Sequence, residues 1–235
     1  IGVGDDTTIV DPPGESTTNG IYAFNLTGRR ATVIRDVQAT GAEVGFRLSN
    51  SDSSLIDTAR VLLTAFGVDL EGGSDFNLIR NVRAERNSAY GYYLGSSSNN
   101  IIRGGRADTN TTTNVLISTS ANGNRVESMT VTGASHGLYI FQGTNNTLEY
   151  NVVQNVSVIG IYVQATSGNL LRRNRSTGNG TGIWMNAVTN TVVTANDVES
   201  NTTYQIAIDG ASSSDTLVKN NIRFPGSGSY LYNAA

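Results

Sequence analysis

One phrase of this chain restarts before it finishes. Residues 160–186 read GIYVQATSGNLLRRNRSTGNGTGIWMN, opening Gly-Ile-Tyr-Val and reopening Gly-Ile-Trp-Met 22 residues later. The phrase recurs along almost the whole chain. Its anchors are Gly20, Gly45, Gly67, Gly91, Asn114, Gly137, Gly160, Gly182 and Gln205, with a weaker one at Ser229, spaced 22 to 25 residues apart. A period this short and even requires a stack of units, none of which can bury a face alone.

Each unit has the same anatomy. A strand alternating in period two follows the anchor, as in GIYVQ at 160–164. A turn rich in Ser, Gly and Asn comes next, often closing on Asn before two aliphatics, as at Asn77, Asn100 and Asn169. A third short segment leads to the next anchor. Asn and Gly at such corners tolerate the left-handed backbone that sharp turns need. Three short strands per unit predict an all-β right-handed parallel β-helix, a solenoid of about nine to ten coils of ~23 residues. At roughly 4.8 Å per coil it is a rod on the order of 45 Å long. The leucine-rich pattern L-x-x-L-x-L-x-x-N is absent, and a propeller needs about twice this period. Residues 1–19 form an N-terminal lead-in segment, and 20–235 form the β-helix.

Composition narrows the function. With 15% charged residues and a net charge of −3, the chain has no electrostatic case for nucleic acid. Its longest apolar runs, about four residues, are far short of a membrane span. Cysteine is absent, which excludes disulfides and thiolate metal sites. No metal or cofactor is therefore expected. The first residues, IGVGDDTTIVDPPGE, carry no initiator Met or signal pattern, as expected of a processed or excised chain.

Alternation assigns the faces. The first and third positions after each anchor are apolar and form the core: Ile21, Phe46, Val68, Tyr92, Val115, Leu138, Ile161, Ile183 and Ile206, then Ala23, Leu48, Leu70, Leu94, Ile117, Ile140, Val163, Met185 and Ile208. The second position points outward and carries Tyr22, Arg47, Asp69, Tyr93, Leu116, Tyr139, Tyr162, Trp184 and Ala207. At the fourth, also outward, stand Phe24, Glu71, Gln164, Asn186 and Asp209 among others. The core does not need an outward ladder of aromatics. A contiguous patch of this kind marks a binding surface, and Tyr and Trp suit sugar rings with an apolar face and a polar tip. Tyr93, Tyr139, Tyr162 and Trp184 thus form a candidate glycan platform, with Gln164, Asn186 and Asp209 to bond hydroxyls. Packing against another subunit, or plain stacking within the sheet, are the competing uses.

Asp69 and Glu71 stand two apart on one strand, with Cα atoms roughly 6.5–7 Å apart and both side chains outward. Carboxylates at that spacing fit either retaining or inverting glycoside hydrolysis, with Arg47 one coil below to position substrate. A surface ion pair of little energetic value is the alternative. Asp209 lies six coils away, about 29 Å, and His136 three coils, about 14 Å, so neither shares a bond with Asp69. His136 or Tyr139 with an arginine is the only set for uronate elimination or epimerisation. Fifteen of the 16 basic residues are Arg. Many of them, Arg80, Arg103, Arg125 and Arg172 included, alternate with acids on a second outward face, which reads as a mixed solvated surface, the alternative being a stripe that holds uronates or sulfates by bidentate contacts.

On these repeats, residues 20–233 resemble the right-handed parallel β-helix proteins, the superfamily of pectate lyases, mannuronan C5-epimerases and phage tailspikes. The resemblance implies cleavage, epimerisation or binding of acidic polysaccharide along the outer sheet. Alginate epimerases carry Tyr-Gly-x-Asp-Pro-His; here Tyr90-Gly91 is followed by Tyr92-Tyr93-Leu94, so the Asp and His are missing. The acidic calcium clusters of pectate lyases have no counterpart, and the even coils lack the insertions that wall a deep cleft. The expectation is an extracellular or cell-surface protein with polysaccharide as its partner, hydrolase- or lyase-like if catalytic. The alternative is a non-catalytic adhesin, spike or assembly segment. The terminal GSGSYLYNAA begins another strand and no helix caps either end, which predicts a homo-oligomer or a piece of a longer chain.

Overall fold

The structure, a computed structural model, describes residues 8–10, 20–223 and 229–233. It is a parallel β-solenoid of about nine coils of ~23 residues, with no helix among the described residues. Ten parallel strands build one sheet, from Tyr22–Thr27 through Val44–Ser49, Phe66–Glu71 and Tyr90–Leu94 to Ser229–Asn233. The other two sides of the tube merge into one sixteen-stranded sheet. The merger lies in Leu78–Glu85, Ile101–Asp108 and Arg125–Thr132, where two short strands run on through a left-handed residue: Asn81, Gly104 or Ser128. Of the lead-in segment 1–19, only Thr8–Val10 is described, pairing with Val37–Ala39; the rest lies outside the described residues.

The core is built of stacked apolar side chains. Phe46, Val68, Tyr92, Val115, Leu138, Ile161, Ile183 and Ile206 rise in register from the ten-stranded sheet, with Leu48, Leu70, Leu94, Ile117, Ile140, Val163 and Met185 beside them. Facing them are Ile56, Ile79, Ile102, Val126, Leu148, Leu171 and Val193. Each fully buried aliphatic contributes roughly 1.5–3 kcal/mol. Tyr92 brings a phenolic hydroxyl inside, and it donates to the Val82 carbonyl at 2.6 Å.

The first coil departs from the expected register. Phe24 pairs with Phe46 and Leu26 with Leu48, so Ala23, not Gly20, sits opposite Gly45. Phe24 therefore stacks on Phe46 (5.0 Å between centroids) against the core instead of pointing outward. Packing of a large apolar pair outweighs the glycine match. The last strand is offset by one: Ile206 pairs with Leu231, placing Tyr230 rather than Ser229 at the anchor.

Anchors favour Gly because of crowding. A Cβ on Gly91 would lie 2.6 Å from the Asn114 carbonyl oxygen and 2.7 Å from Asn110 Nδ2. Where the anchor is Asn114 or Gln205, its own amide joins that corner: Asn110 Nδ2 donates to Asn114 Oδ1 at 2.7 Å, and Asn201 Nδ2 to Gln205 Oε1 at 2.8 Å.

Asparagine does two jobs at the corners, since left-handed residues such as Asn50, Asn99 and Asn145 sit beside others whose side chains carry hydrogen bonds. Asn77, Asn100, Asn124, Asn146 and Asn169 are buried and form a ladder in which each backbone N–H donates to the side-chain oxygen one coil on, at 2.8 to 2.9 Å. Their exposed neighbours Phe76, Asn99 and Asn145 take the positive φ. Asn151, Asn174, Asn196 and Asn220 form a second ladder, and Asn87–Asn110 and Asn179–Asn201 occupy the third corner. Asn100→Ala would strand the Asn77 N–H and the Ser74 carbonyl that its side chain now satisfies. The expected loss is about 3 kcal/mol, read as a denaturant midpoint shift at unchanged slope; a loss under about 1 kcal/mol would contradict this account of the corners.

Candidate functional site

The anchor glycine makes a local bulge that shapes the outer face of the ten-stranded sheet. A Cβ on Gly67 or Gly91 would press on coil backbone and corner amides, and the next residue, Val68 or Tyr92, also faces the core. Two successive inward positions push the residue before the anchor back outward. The outer face therefore carries an additional row, with Val44, Phe66, Tyr90, Thr113, His136, Ile159, Thr181 and Tyr204 in register. Strict alternation from the anchor missed Phe66 and Tyr90. Their signal was the residue just before each anchor, aromatic in Phe66-Gly67 and Tyr90-Gly91.

With that row, the face splits into two patches. The first is a groove of about 480 Å³ lined by Tyr22, Glu43, Val44, Arg47, Phe66, Asp69, Glu71, Tyr90 and Tyr93. Phe66, Tyr90 and Tyr93 form an aromatic triangle, with centroids 5.3 to 5.9 Å apart. Arg47, Asp69 and Tyr93 are successive rungs of one row. The structure thus brings together the three predicted catalytic residues, with one change of pairing. Arg47 bonds the Glu71 carboxylate rather than that of Asp69. Its guanidinium also reaches Asn25 Oδ1 at 3.4 Å and lies 5.0 Å from the Tyr22 ring centroid.

Asp69 is the anomaly of the groove. It is only 7% exposed, and its Oδ1 has no hydrogen-bond partner. Burial, reinforced by the charge of Glu71 and only partly offset by Arg47, pushes its carboxyl up to about 7. A carboxyl in that range holds its proton near neutrality and can give it to a bound group.

Leu116 and Thr113 separate this groove from the second patch. There, Tyr139 stacks on Tyr162 (4.6 Å, 18°), Tyr162 leans on Trp184 (5.7 Å, 44°), and His136 lies parallel to Tyr162 at 5.9 Å. Gln164, Asn186 and Asp209 stack in register alongside. The Tyr139 hydroxyl donates to Gln164 Oε1. Burial raises the Tyr139 phenol to about 12, and raises that of Tyr162 with help from Asp209. Burial also holds the His136 imidazole below its usual value, against a backbone bond at Thr112. Tyr93 belongs to the groove, so the predicted platform is two patches and not one ladder.

The arginine-bearing surface lies on the other sheet, and much of it is tied up in cross-coil pairs. Arg80 bonds Asp57 (2.5 Å), Arg60 bonds Glu85 (2.8 Å), and Arg125 and Arg172 both bond the buried Glu149. That is the mixed surface its composition implied.

A family model described as "Periplasmic copper-binding protein (NosD)" matches residues 2–171, and one described as "Right handed beta helix region" matches residues 115–235. No curated protein sequence matches. Among solved structures, the periplasmic alginate epimerase AlgG superposes with a TM-score of 0.75 at 17% identity, covering 80% of this chain and 50% of its own. This chain thus spans half the length of that epimerase. Endo-xylogalacturonan hydrolase from Aspergillus tubingensis gives 0.60 at 11% identity over 90% and 75% of the two chains. Alginate lyase from Paenibacillus sp. str. FPU-7 gives 0.57 at 14% identity over 98% and 80%. At these identities the likeness is one of fold.

The raised Asp69 carboxyl makes stability depend on pH. Between the ordinary aspartate value of 3.8 and about 7, the folded chain keeps a proton that the unfolded chain has lost. Stability from this group is therefore greatest at low pH, falls as pH rises through that window, and is flat above it. At ~1.4 kcal/mol per unit the full change is on the order of 4 kcal/mol. Subtracting Asp69→Asn from wild type in denaturation curves at successive pH values isolates it. A pH-independent difference would show that Asp69 ionises normally.

Proposed function

The chain belongs to the NosD family and to the right-handed β-helix family, and from that premise we propose that it engages polysaccharide along the outer face of its ten-stranded sheet and hydrolyses it at Asp69. The observation that carries this reading is Asp69 itself, a buried carboxyl with an unsatisfied oxygen beside an aromatic-lined groove. An acid of that kind gives its proton to the glycosidic oxygen as the bond to the anomeric carbon breaks. Glu71, two residues on and paired to Arg47, either attacks the anomeric carbon or takes a proton from the water that does. Phe66, Tyr90 and Tyr93 supply the ring-stacking surface next to the scissile bond. Tyr139, Tyr162 and Trp184, with Gln164, Asn186 and Asp209, hold the chain further along. The neighbours named for action on alginate and xylogalacturonan support a carbohydrate role. The setting we infer is secreted or periplasmic, in line with the names of the NosD family and AlgG.

Copper does not fit the described residues. Copper sites use thiolate, thioether or imidazole ligands. This chain has no Cys and one His, Met129 and Met185 are buried in the tube, and no group of three or more His, Cys, Asp or Glu converges among the described residues. No step here runs through a metal.

Asp69→Asn and Glu71→Gln should each cut release of new reducing ends from glycan at least about 100-fold, with binding changed only a few-fold. Trp184→Ala and Tyr93→Ala should weaken binding. Undiminished cleavage in both carboxylate variants would remove Asp69 and Glu71 from the chemistry. Products absorbing as unsaturated uronates would replace hydrolysis with elimination. One observation favours a second reading, assembly: the Tyr139–Tyr162–Trp184 patch stands apart from the groove, beyond Leu116. Loss of oligomers without loss of glycan binding in Trp184→Ala would select it.

A further inference from the structure

We propose that this groove accepts an uncharged polysaccharide and turns polyuronates away, an inference that rests on the glycan reading above. The fold separates charge between its sheets. The ten strands of the outer-face sheet carry a single basic residue of the Lys/Arg type, Arg47, against the carboxylates of Glu71 and Asp209, while Asp69 beside them holds its proton near neutrality. Glu43 adds a further carboxylate at the groove wall. The remaining strand arginines, among them Arg60, Arg80, Arg83, Arg103 and Arg125, stand on the other sheet.

Arg47 is not a spare cation. Its guanidinium is bonded to Glu71 and Asn25 and faces the Tyr22 ring. A uronate entering the groove would have to displace Glu71 from it, leaving that carboxylate uncompensated beside Asp69. Breaking a half-buried ion pair in this way is costly, and the low-dielectric aromatic wall strengthens the repulsion. The second patch offers no relief: burial keeps its one imidazole, His136, from charging readily, and Asp209 stands at its far end.

A neutral sugar meets none of these costs. It presents C–H faces to Phe66, Tyr90 and Tyr93 and hydroxyl donors to Asp69 Oδ1 and Glu71, which supplies the partner that Asp69 lacks.

The test uses matched pairs that differ in charge alone: polygalacturonate, polymannuronate and polyglucuronate, each beside its carboxyl-reduced form. Apparent Kd and reducing-end release are measured with wild-type protein at low and at physiological salt. At least one reduced polymer should bind about tenfold or more tighter than its parent at low salt, with the gap narrowing as salt screens the repulsion. Glu71→Gln, which frees Arg47, should narrow it too. Equal or tighter binding of the uronates would overturn this inference and leave the glycan reading standing. Absence of binding to all six polymers, with neutral xylan, glucan and mannan also inert, would overturn both.

Discussion

The fold depends on buried amides that hand hydrogen bonds from coil to coil. A tube of this kind turns the chain three times per coil in a region closed to water, and each turn leaves backbone N–H and carbonyl groups that must be satisfied. Asn100 shows how: its side-chain oxygen accepts from the Asn77 N–H at 2.8 Å, and its amide nitrogen donates to the Ser74 carbonyl at 2.9 Å. Because each ladder fixes one coil against the next, it also fixes which outward side chains become neighbours. Asp69 lies between Arg47 and Tyr93 because the corners leave no other register. The chemistry of the outer face follows from a constraint at the corners.

Within that frame, electrostatics sorts the two outer surfaces. On the sixteen-stranded sheet, arginines and carboxylates of adjacent coils pair, and even Glu149, fully buried, is held between Arg125 and Arg172. Exposed pairs of this kind add little stability individually, but they cancel charge along the surface. On the ten-stranded sheet the cancellation is incomplete. Arg47 satisfies Glu71 and leaves Asp69 to bear its burial, so the proton stays where an acid is useful. That imbalance is what distinguishes the groove from the rest of a regular solenoid.

Much of this was legible in the sequence, for physical reasons. A period of about 23 residues with apolar side chains at fixed offsets admits few folds, and stacks such as Val68–Tyr92–Val115 follow directly from alternation. The adjacency of Arg47, Asp69 and Glu71 was equally readable once the register was set. Three things were not. The bulge at the anchor, which turns Phe66 and Tyr90 outward, depends on crowding between coils and breaks strict alternation. The first coil slips because Phe24 gains more by stacking on Phe46 than Gly20 gains by matching Gly45. And the partner of Arg47 is Glu71 rather than Asp69, a matter of side-chain reach that spacing does not decide.

The most direct measurement is a crystal structure of the protein with a neutral oligosaccharide bound. The account predicts sugar rings stacked over Tyr90 and Tyr93, with a glycosidic oxygen within about 3.2 Å of the Asp69 carboxyl. Density for the sugar on the arginine-bearing sheet, or on the outer face with Asp69 out of reach, would contradict it.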